Sequence, residues 1–137
     1  MVYDIFAGGP SQHRAREPYI DMLRDAFPDK EIFSPFDRPT QEDGAWKYDN
    51  LQGIMGSRAM LNCVPSFPFP GVMFEAGFFY NANCERPGEN LVQLVSVIDP
   101  KDLEGPSGKS VLSAYGQMVT DMDSAIERLN AYFDSLR

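Results

Sequence analysis

Histidine is nearly absent. The chain carries His13 and no other, which leaves too few imidazoles for a zinc site of the usual His and Cys composition. Carboxylate-bound magnesium stays open on composition. Cysteine is as sparse: Cys63 and Cys84 are too few for a disulfide framework. The 137 residues must therefore hold together by burying apolar surface, which a domain of this size can do. Long apolar runs free of turn-formers are missing too, so no membrane span is expected. The opening Met-Val-Tyr-Asp lacks a basic segment leading into an apolar one, so no secretory signal is read there and a cytoplasmic location is expected. Cations are the minority charge. Twelve Lys and Arg against 20 Asp and Glu give a net charge of −8, and a surface of that sign repels a phosphate backbone, which argues against a nucleic-acid partner. A single nucleoside or nucleotide in a pocket is compatible with it.

What is present is a globular composition, with 43% hydrophobic and 23% charged residues, which excludes a wholly disordered chain. No repeat or low-complexity tail breaks it, so residues 1–137 read as one domain. Val2-Tyr3-Asp4-Ile5-Phe6-Ala7 is β-rich and runs into Gly8-Gly9-Pro10, a strand entering a turn. The spacing of Tyr19, Met22, Leu23 and Phe27, with Pro18 in the first turn, predicts a helix over 17–27. A strand is expected at 31–34, a polar loop at 35–44, a helix over 45–57 and a strand at 59–64. The prolines of 65–71 forbid a central strand or a helix there, and a helix over 71–81 follows. The aliphatic run 91–98 reads as a strand buried on both faces. Beyond it come a polar loop at 99–108, a short helix at 109–116 and a brief strand at 118–120. Last is a helix capped by Asp121 or Asp123, with Ile126, Leu129, Tyr132 or Phe133, and Leu136 at its apolar positions. Strands alternating with helices predict an α/β fold, a doubly wound (Rossmann-like or flavodoxin-like) parallel sheet of about five strands with helices on both faces.

Ligands of such sheets bind outside the carboxyl ends of the strands. The strongest local feature falls there. Between Ala59 and Cys84, Glu75 is the one charged residue, among Val72, Met73, Phe74, Ala76, Phe78 and Phe79. A carboxylate in apolar company is costly unless stabilised. Placed near the first turn of its helix, it either complements the helix dipole at the surface or is a buried reactive group, a nucleophile or base. Other motifs carry less. Gly105-Pro106-Ser107-Gly108-Lys109-Ser110 ends like a phosphate-binding loop, but its first glycine is too close and no strand leads into it. His13 reads as a solvated loop residue and Cys63 as a small core residue.

Three segments occur in one order: Ile5-Phe6-Ala7-Gly8-Gly9-Pro10, Phe33-Ser34-Pro35-Phe36-Asp37, and Gly71-Val72-Met73-Phe74-Glu75-Ala76-Gly77-Phe78. In this the chain resembles the nucleoside 2-deoxyribosyltransferase family, which shares its fold with nucleotide N-glycoside hydrolases. The resemblance covers almost the whole chain, and the glutamate-x-glycine element opening a helix is its most specific part. It implies an enzyme that breaks and re-forms the bond between a base and C1′ of deoxyribose, with Glu75 as the nucleophile. It further implies Asp37 as a holder of sugar hydroxyls, Asn50 and the adjacent Asp49 as the polar positions of the helix before the third strand, and Gly8, Gly9 and Pro10 as the first loop. The chain also departs from the family. Phe69 stands where many members carry an aspartate that manages protons on the base, and Asn62 replaces another.

The resulting expectation is a transferase that needs no cofactor and passes 2-deoxyribose between bases through a covalent Glu75 intermediate. A nucleoside or nucleotide hydrolase and a non-catalytic nucleotide-binding module are the alternatives. Its partners are nucleosides or nucleotides and free nucleobases, without nucleic acid or membrane. The resemblance implies a homo-oligomer in which the C-terminal aromatics Tyr132 and Phe133 complete a neighbour's pocket. Phe67, Phe69, Met73 and Phe74 either form a stacking surface for the base or plug the core beneath the helix.

Overall fold

A computed structural model describes residues 2–9, 17–35, 45–64, 70–83, 94–104 and 116–136. In chain order these form β1 (Tyr3–Gly8), α1 (Glu17–Ala26), β2 (Ile32–Phe33), α2 (Ala45–Met55), β3 (Ser57–Val64), α3 (Pro70–Asn83), β4 (Leu94–Ile98), α4 (Pro100–Glu104), β5 (Gln117–Val119) and α5 (Met122–Ser135). The five strands make one sheet in the order β2-β1-β3-β4-β5, and every pairing is parallel. The expected α/β fold with a parallel sheet is what forms.

Side chains alternate along a strand, and the buried residues sort accordingly into two clusters. Ile5, Ala7, Ala59, Leu61, Cys63, Val95 and Val97 pack with Ile20, Leu23 and Phe27 of α1 and Ala125, Leu129, Tyr132 and Phe133 of α5. Phe6, Met60, Leu94 and Ile98 pack instead with Ile54 of α2 and Val72, Ala76 and Phe79 of α3. This sorting supports cover by helices on either side of the sheet. Tyr132 and Phe133 are 4% and 7% exposed, and Phe133 meets the Phe27 ring edge-on at 5.9 Å. The C-terminal aromatics are thus core of their own chain, and the expectation that they complete a neighbour's pocket is corrected. Leu136, read as apolar core, caps α5 and is 48% exposed.

Several boundaries differ from the sequence reading for local reasons. Helix α2 stops at Met55 and β3 begins at Ser57 because hydrogen bonds close the junction. Gly56 N–H donates to Gln52 O at 2.9 Å, Ser57 Oγ to Gly53 O at 2.6 Å, and Asn83 Nδ2 to Ile54 O and, at 3.0 Å, to Ser57 O. Helix α4 occupies part of the segment expected as a loop: Asp99 Oδ1 accepts from Lys101 N–H at 3.0 Å, and Pro100 suits a first helical position. Gly116 is a bend rather than a helix end; a Cβ there would lie 2.6 Å from Leu94 O, so the chain passes hard against β4. Residues 91–93, the rest of the short helix expected at 109–116, His13, Cys84 and the phosphate-loop look-alike at 105–110 lie outside the described residues. Among those described, no helix is long and apolar enough to cross a membrane.

Candidate functional site at the carboxyl edge of the sheet

The strand order places a topological switch between β1 and β3: the chain leaves β1 toward β2 on one side and returns to β3 on the other. A crevice opens outside the carboxyl ends of strands at such a point. Gly8 ends β1 there, in register with Asn62 of β3, which is in turn in register with Ser96 of β4. Gly9 follows with φ of 143°, backbone that side-chain-bearing residues rarely adopt. Gly8 is needed for space: a Cβ on it would stand 2.6 Å from Asn62 Oδ1. The Asn62 carboxamide therefore reaches over the end of β1, on the sheet face that carries Phe6, Met60 and Leu94.

Asn62 is 0% and Ser96 1% exposed. Asn62 Oδ1, Asn62 Nδ2 and Ser96 Oγ have no hydrogen-bond partner among the described residues. Burial without a partner costs each such group about 1–3 kcal/mol, so a native fold rarely keeps a cluster of them without a use. In the sequence Asn62 stands out only as a departure from a family pattern, and Ser96 not at all. A usable signal was there: each is the one polar side chain in the inner part of its strand, two positions before the strand's last residue.

Glu75 lies on α3. The helix begins at Pro70, one residue earlier than expected, and has no acidic residue in its first turn. Glu75 thus stands in the second turn, which corrects the placement beside the helix N-terminus, since the dipole's influence fades beyond the first turn. Its side chain is half-buried and engaged in an interaction, on the flank of the stripe Val72, Ala76, Phe79 that faces the sheet. Because Asn83 binds Ser57 O, α3 runs antiparallel to β3. Glu75 lies about 12 Å above Asn83 along the helix, and Asn62 about 16 Å above Ser57 along the strand. A helical side chain leans toward its N-terminus, which carries the Glu75 carboxylate toward the level of Asn62.

Asp49 and Asn50, both half-buried, sit on α2, whose last turn meets Asn83. Asn50 is about 6 Å before Ile54 along that helix, and α2 packs on the same side of the sheet as α3. Phe74 is 65% exposed with its ring stacked on Phe78 at 6.5 Å. It plugs no core; Val72, Ala76 and Phe79 do. Pro10, Asp37, Phe67 and Phe69 fall outside the described residues. A separate cleft of about 240 Å³, lined among others by Tyr19, Cys63, Asp99 and Thr120, opens where Cys63 and Val97 face α1. Glu75 and Asn62 are not in its lining.

The arrangement offers a carboxylate able to attack or to accept a proton, on the side of the sheet that also carries an amide and a hydroxyl without a partner among the described residues. The chain matches no protein-family model and no curated protein.

Proposed function

We propose that the protein transfers 2-deoxyribose between nucleobases, with Glu75 as nucleophile. The observation that supports this most directly is the placement of Glu75: the one charged residue of a largely apolar helix, half-buried on the side of the sheet that holds Asn62. In the first step a Glu75 carboxylate oxygen bonds to C1′ as the C1′–N bond breaks, through an oxocarbenium-like transition state. The departing nitrogen takes a proton, for which Asp49 is the described acid on the same side of the sheet. In the second step a nitrogen of the incoming base attacks C1′, the ester to Glu75 breaks, and the N–H proton of that base restores the acid. The missing 2′-hydroxyl eases formation of the cation, so one carboxylate can suffice.

Incubation with deoxyinosine and free adenine, followed by chromatography, should show deoxyadenosine. A 2-fluorinated nucleoside should leave a sugar adduct on the peptide carrying Glu75. Glu75→Ala should fold and lose turnover by about 10³-fold or more. Full activity in that variant sinks the assignment. Base release at a rate indifferent to added acceptor identifies a hydrolase using the same intermediate.

A further inference from the structure

The chemistry proposed for Glu75 gives Asn62 and Ser96 no task. Asn62 and Ser96 are neighbours across β3 and β4, both within 1% of complete burial, and three of their polar atoms lack a partner among the described residues. The Asn62 side chain is also aimed: its amide occupies the space that a side chain on Gly8 would fill, at the β1–β3 switch point where sheets of this order bind ligands.

We propose that Asn62, assisted by Ser96, is the specificity-determining floor of the site, which accepts the donor–acceptor edge of a planar ligand. An asparagine side chain presents one acceptor and one donor side by side, whichever way the amide is turned, and its complement is an edge carrying a donor next to an acceptor. The Ser96 hydroxyl adds a group that can donate or accept. Both strands run on for two residues past these positions, so the amide lies roughly 7 Å below the rim of the sheet, the depth of one heterocycle entering edge-first. Because the floor is dry, a ligand without the matching edge leaves these groups unsatisfied, and discrimination against it is steep. The identification of that ligand as the nucleobase rests on the function proposed above; the donor–acceptor edge itself does not.

The test compares adenine, which has such an edge, with benzimidazole, a ring system of similar size lacking the exocyclic amine. Calorimetric titration of wild type should favour adenine by about tenfold or more. Asn62→Leu should erase most of that preference while the free variant melts at or above wild type, since an unsatisfied buried amide has been removed. Ser96→Ala should reduce the preference in the same sense and serves if the leucine variant does not fold. An unchanged ratio in the variants overturns the proposal, as does a wild type indifferent between the two ligands. A variant that melts lower with its ratio intact shows a packing role and also overturns it. If the preference depends on Asn62 but no sugar adduct forms on Glu75, the floor stands and the transferase reading falls. If the adduct forms and the ratio ignores Asn62, the reverse holds.

Discussion

Gly53 shows how a single atom decides the fit between α2 and the sheet. A Cβ there would lie 2.8 Å from three atoms of the Phe33 ring. That ring is held by Phe6, stacked at 5.3 Å, and by Tyr3, edge-on at 5.1 Å, so moving it disturbs both contacts. Alanine would gain about 1 kcal/mol of helix propensity and lose about 1–3 kcal/mol to overpacking. The clash wins. Gly53→Ala should lower stability in chemical denaturation, and Gly53→Ala with Phe33→Leu should recover part of it. At this scale Glu75 was legible because a charge stands out in an apolar run. The roles of Gly53 and Asn62 were not, because what gives them meaning is a neighbour from another part of the chain, Phe33 for the one and Gly8 for the other.

Helix ends carry their own evidence in side-chain hydrogen bonds. Asp121 was one of two expected caps and is the cap observed, extended in backbone, with its side chain accepting from Ser124 N–H at 2.7 Å. That backbone hydrogen bond first, and the Ser124 hydroxyl second, hold the Asp121 carboxyl below its usual range. A lowered value in the fold means the ionised cap stabilises at neutral pH, and that this contribution fades as pH falls below about 4, the unfolded value. Asp121→Ala should therefore melt lower than wild type at pH 7, and the two melting temperatures should converge as the buffer is taken down through that range. Asn83 is a different kind of end. It is 6% exposed and donates to two carbonyls of the α2–β3 junction; Asn83→Ala should cost about 2 kcal/mol or more by stranding them, read as a lower denaturant midpoint with an unchanged slope. The cap was visible in the sequence because a capping bond spans three residues. The Asn83 latch was not, because it reaches across the whole of β3.

The alternation of β-rich and helical segments was enough to give a parallel α/β sheet, since a parallel neighbour requires a crossover and helices supply it. Strand order was beyond that pattern: nothing local to Tyr3–Gly8 says that β3, rather than β2 alone, lies beside it. Yet the order is what assembles the candidate site, by setting Gly8 against Asn62 and Asn62 against Ser96.

The same pairing sets a timetable for synthesis. When β1 and β2 have left the ribosome, the partnership available to them is the short one, Ile5 with Ile32 and Phe6 with Phe33. The longer partner of β1 begins at Ser57, and parallel pairing across so long a loop forms late. In the nascent chain β1 is therefore a waiting client, its Ile5 and Phe6 unprotected, until β3 arrives. Stalled chains that end before β3 should be cut by protease within β1, and chains that have exposed both β3 and β4 should resist, so β1 is made well before the strand that shelters it.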